Sequence, residues 1–350
     1  MNRSSHHRSS YLPSIGAAML ALGAMVLGWH PRREDASYPP LPSKEELRAP
    51  TGVARVLREA ALQDWLVMAY LVALLTATWL GGGPRREAAL SWLLVDIAFI
   101  GAALAAVRSG WLRGRFLAPV LYRFTLFFAV LATFMQMHLI LPSASVGALD
   151  GAIVRIDERL FGVEPTFVMD RYVTSGRCEW FAFFYFSYYA IILTHVLPVM
   201  LFERRREVLV QFALGTLFVC CVGQMLYILV PGYGPYAVFA DRFHHALPDG
   251  RWWNLVRSTV AAGDGASRKD IFPSLHTAIP TFMAGFSFQR RKLTPFRYTW
   301  PVVAFFASQI IISTMYLRWH YLLDVVAGLT LAATALRVAK VASGESARRA

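Results

Sequence analysis

The chain has 350 residues, of which 56% are hydrophobic and 16% charged, with a net charge of +13 and a mean hydropathy of +0.43. No soluble domain can bury that much apolar surface, whereas a bilayer can, so the composition predicts a multi-pass membrane protein. Three cysteines (Cys178, Cys220, Cys221) exclude a disulfide framework, and the arginines cluster between apolar runs rather than along a nucleic-acid groove with interleaved aromatics.

The first apolar run, Tyr11–Trp29, contains Pro13 and several glycines, and no A-x-A-like cleavage site follows it. It is expected to be retained as a span, an interfacial segment or a signal anchor. A turn-rich linker, SYPPLPSKEELRAP, comes next. Thr51–Asp64 then reads as a short interfacial helix with Arg55, Arg58 and Glu59 on its polar side.

A crossing helix needs ~20 mostly apolar residues. Eight runs qualify as candidates: Trp65–Leu80, Ala88–Val107, Phe116–Leu141, Trp180–Phe202, Val208–Val230, Ile271–Phe288, Tyr298–Leu317 and Tyr321–Val341. Within the insertion Ser143–Arg177, IVRIDERLFGVEP reads as an amphipathic turn or two ending at Pro165. The longest hydrophilic loop, Pro231–Asp270, opens on PGYGPY, which must turn sharply. The expected fold class is therefore all-α, a multi-pass transmembrane helical bundle. Residues 1–63 form an N-terminal hydrophobic segment and linker, 64–115 accessory helices, 116–341 a catalytic core of six helices, and 342–350 a tail. Two or three helices precede that core.

Arginine placement predicts orientation. The connections Arg108–Arg115, Glu203–Glu207 and Gln289–Arg297 alternate onto one face together with the C-terminal tail, and all are basic, so that face is expected to be cytoplasmic. Pro231–Asp270 and the Arg318–His320 corner then lie on the outer face. His276 and His320 are expected to share a leaflet.

Those histidines sit in FPSLHTA (Phe272–Ala278) and YLRWHYLLD (Tyr316–Asp324). His320 and Asp324 are expected at i and i+4 on one helix, with their side chains stacked on the same face, so the carboxylate can hold one ring nitrogen and leave the other free to attack. An aspartate mid-helix in a bilayer costs roughly 2.5–3.5 kcal/mol on insertion scales, so it calls for a partner and a task. Pro273 suits a first helical position, with His276 in the first turn where free N–H groups can meet an oxyanion. Arg268, Lys269 and Arg318 stand close by in sequence. Together these residues suit phosphoryl transfer. His138 and His195 read as packed or water-bonded residues.

PSLH (Pro273–His276), followed by His320 and Asp324, resembles the second and third signatures of the type 2 phosphatidate phosphatase (lipid phosphate phosphatase) superfamily, with Leu275 in place of the usual glycine. FPSLHTA, YLRWHYLLDVVAG, LDGAIVRIDERLFGVEPTF and LVPGYGP are similar to the inositol phosphorylceramide synthase branch, over about Phe116 to Val341. The first signature's Arg-Pro pair is absent, and Thr314 stands where the superfamily has an arginine six residues before the third-signature histidine. The resemblance implies a phosphatase-type core in which His320 attacks phosphorus to form a phosphohistidine, Asp324 orients and stabilises it, and His276 protonates the departing alkoxide and then deprotonates the acceptor. Ser274 would donate to a phosphoryl oxygen. Candidate phosphate-binding cations are Arg318, Lys269, Arg268 and Arg171, in that order.

The implied enzyme is a lipid phosphotransferase that moves a phosphate-bearing head group, phosphoinositol in that branch, from a phospholipid donor to a lipid or alcohol acceptor. No cofactor or metal is expected, because protein cations and helix-end N–H groups can offset the phosphoryl charge. With water as acceptor the same residues make a lipid phosphate phosphatase. The implied location is the cell membrane, with the site facing the extracytoplasmic side. The rivals of another class are a haem protein, which needs histidines paired across a bundle, and a transporter, which favours inverted repeats; neither pattern is seen in the sequence.

Overall fold

A computed structural model describes residues 52–112, 117–145, 147–264 and 269–348, and among them the chain forms thirteen α-helices and no sheet. The run Tyr11–Trp29 and residue Arg268 lie outside the described residues. Among the described residues, seven helices are long and apolar enough to cross a membrane: α2 (Leu62–Leu80), α3 (Arg86–Arg108), α4 (Leu117–Ala144), α7 (Ser175–Phe202), α8 (Arg206–Leu229), α12 (Phe296–Tyr316) and α13 (Leu322–Arg348). The protein is an all-helical, multi-pass membrane bundle.

The eighth expected crossing is shorter than its apolar run. Helix α11 covers Leu275–Gln289, 15 residues, so it reaches only about 22 Å at 1.5 Å per residue. Its start is set by Ser274, whose hydroxyl accepts the Thr277 N–H at 3.2 Å, so Ser274 is the N-cap. Pro273 therefore precedes the helix and does not occupy its first position, a correction to the sequence reading.

The expected interfacial helix is also shorter than its run. Helix α1 (Val53–Glu59) ends where Ala60 turns extended. Asp64 already belongs to α2, where it accepts the Ala61 N–H at 2.9 Å. Buried Asp64 pairs with Arg108 of α3 at 2.7 Å and accepts the Tyr122 hydroxyl of α4 at 2.6 Å. This polar knot sits at the end of the bundle that carries the basic connections. At that same end Arg290 donates to Glu207 (2.8 Å) and Arg205 binds Glu203 (2.6 Å).

At the opposite end the insertions are more ordered than their polarity predicts. IVRIDERLFGVEP belongs to a three-turn helix, α5 (Asp150–Phe161), closed by Gly162, and a short α6 (Pro165–Met169) with Pro165 in its first turn and Glu164 as N-cap. The loop after α8 carries α9 (Pro235–Val238) and α10 (Arg251–Asp264). The Glu179 carboxylate of α7 accepts the Trp252 and Trp253 N–H groups at 3.0–3.1 Å, satisfying the start of α10 from outside the helix. Trp253 is thereby buried against Tyr185, Tyr316 and Leu317.

Gly234 and Gly328 permit close backbone approaches, one at the corner that carries Trp319 and one at the start of α11. Gly234 has a φ of +86°, and a Cβ there would lie 2.5 Å from the Trp319 carbonyl oxygen. Gly328, one turn after Asp324, lets α13 lie against the start of α11; a Cβ would fall 2.6 Å from the Ser274 carbonyl oxygen. Gly328→Ala gains up to ~1 kcal/mol in helix propensity but overpacks a backbone contact, at a cost of about 1–3 kcal/mol. A lower midpoint of thermal unfolding in detergent is expected, and an unchanged or raised midpoint would show that α11 and α13 can part freely.

Candidate active site

The site is built at the end of the bundle opposite the basic connections, where α11 and α13 begin. His276 is the second residue of α11 and is partly buried. Its ring stacks on Tyr185 (centroids 4.4 Å apart, planes at 14°) and lies against Tyr188 (4.1 Å, 32°). Both tyrosines come from α7, three residues apart and so on one helix face. Nε2 of His276 has no hydrogen-bond partner among the described residues. These tyrosines were not singled out from the sequence, where their trace is the aromatic run FFYFSYY (Phe183–Tyr189), which an apolar lipid face explains equally well.

His320 comes within reach from the corner between α12 and α13. The His276 and His320 ring centroids are 6.2 Å apart, with the planes at 49°. That separation is comparable with two near-attack distances of about 3–3.5 Å laid end to end, so the two rings are close enough to face one small group. The two imidazoles thus share one end of the bundle, as the span count predicts.

The route by which His320 meets Asp324 differs from the sequence reading. His320 precedes α13, which starts at Leu322. Its N–H and that of Trp319 both donate to the Thr314 carbonyl, at 3.1 and 2.9 Å. Tyr321 occupies the cap, and the Asp324 carboxylate reaches back to accept the Tyr321 N–H at 2.9 Å. The same oxygen, Oδ2, lies 3.4 Å from His320 Nδ1, a distance that allows charge pairing but does not make a well-formed hydrogen bond. Asp324 and His320 are buried at 0% and 4% exposure. The pair therefore arises from the capping geometry of a helix start and not from stacking along a helix face. The peptide N–H of Ser274 donates to the Asp324 carbonyl at 3.0 Å, tying the two motifs together through backbone.

The corner is held from outside by the segment between α4 and α7. Asp150 accepts N–H groups from Tyr233 (3.1 Å) and Gly234 (2.8 Å) and the Tyr321 hydroxyl (2.9 Å). Asp157 accepts the Leu323 N–H at 3.1 Å, in the first turn of α13. The Thr166 hydroxyl donates to the His320 carbonyl at 3.2 Å. Asp170 receives the Arg318 guanidinium at 2.7 Å and the His244 N–H at 2.8 Å. None of these four was singled out from sequence. Their spacing fits an amphipathic helix and its cap, and what they would hold could not be read from it.

The expected phosphate-binding residues fall into distinct settings. Ser274 is fully buried and caps α11, two residues before His276. Arg318, at φ +66°, is committed to Asp170 and to the His245 carbonyl, with its guanidinium 4.0 Å above the Phe243 ring. Lys269 lies by the Tyr233 ring at 5.8 Å, next to the bridge joining Gly232 to Asp270. Arg171 is exposed and bonds the Val168 carbonyl at 3.1 Å. The structure thus brings Ser274, His276, His320 and Asp324 together and leaves Arg171 at the rim. His138 and His195 each engage a carbonyl of the preceding turn, at 2.8 and 2.9 Å, in keeping with the packed-residue reading. A cavity of about 740 Å³ between α7 and α12, lined by Ile191, His195, Phe202 and Val303, opens toward the basic connections and not beside the imidazoles.

Burial by itself would raise the Asp170 carboxyl, but the His244 N–H, the His245 ring and the Arg318 charge outweigh it and hold the group below its ordinary 3.8. Its contribution to stability is therefore complete above 3.8 and is lost as the pH falls through the depressed folded value.

A family model described as the PAP2 superfamily matches residues 151–338. No curated protein and no solved structure matches the chain significantly.

Breaking a buried pair by removing one partner costs about 3–5 kcal/mol, so Arg318→Ala is expected to lower the unfolding midpoint markedly. Adding Asp170→Asn should recover part of the loss by removing the orphaned charge, and a strictly additive double variant would show that the two side chains do not interact.

Proposed function

The chain belongs to the PAP2 superfamily, and from that membership and the paired imidazoles we propose that it is a lipid phosphotransferase working through a phosphohistidine. Membership supports activity of the lipid phosphatase and phosphotransferase type, and the membrane bundle fits a lipid substrate. The observation that carries the finer reading is the 6.2 Å approach of His276 to His320 beside the buried Asp324.

His320 is the nucleophile. Asp324, 3.4 Å from Nδ1, holds the ring and stabilises the imidazolium that develops as Nε2 attacks phosphorus. His276, on the opposite side of the phosphoryl group, donates a proton to the departing lipid alkoxide. The same imidazole then takes the proton of the acceptor hydroxyl, which attacks the phosphohistidine and returns His320 to its free state. Each proton transfer is worth on the order of 10²–10⁴-fold. Ser274 and the free N–H groups at the start of α11 stabilise the phosphoryl oxygens.

The cation that meets the phosphate is drawn from Lys269, Arg318, Arg268 and Arg171. Arg318 serves this role only if its guanidinium also keeps its grip on Asp170. The acceptor is a lipid or other alcohol, and the packed wall of Tyr185, Tyr188, Trp319 and Tyr236 favours transfer over hydrolysis by limiting water. The similarity to the inositol phosphorylceramide synthase branch suggests phosphoinositol as the head group. The basic connections support a cytoplasmic placement of their own face, which puts the site on the extracytoplasmic side of the cell membrane.

The test supplies labelled phospholipid with candidate alcohols and follows the phosphate. Label on a second lipid supports transfer; release as free phosphate supports the hydrolytic variant of the same chemistry. His320→Ala should abolish both turnover and an acid-labile phosphoprotein. His276→Ala should slow turnover by about 10²–10⁴-fold. Wild-type turnover by folded His320→Ala would refute the mechanism. Asp324→Asn is expected to lower the rate while the fold persists, and unchanged kinetics would reduce that residue to a helix cap.

A further inference from the structure

We propose that Asp157 and Glu164 share a single proton and that this proton locks the helix start carrying Asp324 beneath His320. The inference deepens the function proposed above, and assigns both residues as positioning residues.

Asp157 lies on α5 and is fully buried, and Glu164, the N-cap of α6, is 2% exposed. One oxygen of each carboxyl has a backbone donor: Leu323 N–H reaches Asp157 Oδ2 at 3.1 Å, and Thr166 N–H reaches Glu164 Oε1 at 3.0 Å. The remaining oxygens, Asp157 Oδ1 and Glu164 Oε2, are buried with no donor among the described residues. The two carboxyls lie near enough for Asp157 to act on Glu164, after burial the largest influence on that group. Two ionised carboxylates cannot face each other there without a donor, because burial and like charge both oppose it. A proton on Glu164 removes the conflict: its O–H can donate to Asp157 Oδ1, while Asp157 Oδ2 keeps the Leu323 N–H.

The pair touches the site along two paths. Through Asp157 it holds the first turn of α13, three residues after His320 and next to Asp324. Through Glu164 it orders Thr166, whose hydroxyl holds the His320 carbonyl. The charged and titratable groups facing it are Tyr321, which feels Glu164, and Asp324, which feels Asp157 and has His320 as its own partner. No cation among these groups stands ready to neutralise a second negative charge.

Burial, followed by the contact with Asp157, raises the Glu164 carboxyl from 4.5 to about 8. A raised folded value means that the stabilisation is fully present below 4.5 and is withdrawn as the pH climbs through about 8. Above that value two negative charges press on the helix start, and the His320–Asp324 geometry loosens. The lock should therefore be open on the alkaline side.

Glu164→Gln tests this, because an amide can accept from Thr166 and donate to Asp157 without a titrating proton. Infrared difference spectra of the purified wild-type protein at neutral pH should show a protonated carboxyl band that vanishes in Glu164→Gln. Deuterium exchange, corrected for intrinsic rates, should show that backbone protection of residues 321–324 is lost above about pH 8 in the wild type and kept in Glu164→Gln. Absence of the band, its persistence in Glu164→Gln, or equal loss of protection in both proteins would each overturn the proposal. Neither measurement needs a substrate, so a protein with no phospholipid turnover would sink the proposed function and leave this result standing. Where turnover is present, the alkaline fall in kcat near pH 8 should move upward in Glu164→Gln, whereas a merely structural role would leave the profile in place.

Discussion

The corner that carries His320 is held by buried carboxylates of a neighbouring segment taking donors from it. Asp150 holds the PGYG turn and the Tyr321 hydroxyl, Asp157 the Leu323 N–H, and Asp170 the Arg318 guanidinium. Each carboxylate is nearly inaccessible, so letting go means leaving a charge in a dry place, which is costly. A loop between two membrane helices is ordinarily mobile, yet this one is constrained from three sides. That constraint is what lets a histidine outside any helix serve as a placed group.

The second histidine is placed by a different kind of force. His276 sits at the start of a short helix, and its ring lies against two tyrosines of α7. Stacking and backbone capping define its position, with Ser274 closing the helix start and donating its peptide N–H to the Asp324 carbonyl. Gly328 makes that contact possible by removing the side chain that would keep the two backbones apart. The two imidazoles are thus set by different kinds of support, one ionic and one aromatic, joined by the Ser274–Asp324 backbone hydrogen bond and by the packing of Tyr185 against Trp319.

The bundle's two ends divide the work. One end collects the basic connections and satisfies them locally, through Arg290 with Glu207, Arg205 with Glu203 and Arg108 with Asp64. The other end collects the carboxylates of α5 and α6, the aromatic cluster around Trp253 and both histidines. Charge near the basic end can answer to the membrane and its lipids. Charge at the other end answers to the site.

Apolar run length and arginine placement determined the helical class, most of the crossings and the sharing of one end by His276 and His320, because a bilayer permits few alternatives. The residues of the two motifs were legible for the same reason: ionisable side chains are conspicuous in an apolar run. What the one-dimensional pattern could not express was contact across the fold. The i and i+4 spacing of His320 and Asp324 suggested helical stacking, whereas a cap at Tyr321 makes the pair, since the chain turns before the helix begins. Arg318 read as a free cation beside the site, but Asp170, 148 positions away in sequence, claims it. Asp157 and Glu164 fell within IVRIDERLFGVEP, which read as an amphipathic turn or two, and Asp150 just before it had no assigned task. Only the tertiary structure could turn them into holders of the site, because a buried carboxylate's role is decided by which donors surround it, and those donors come from distant parts of the chain.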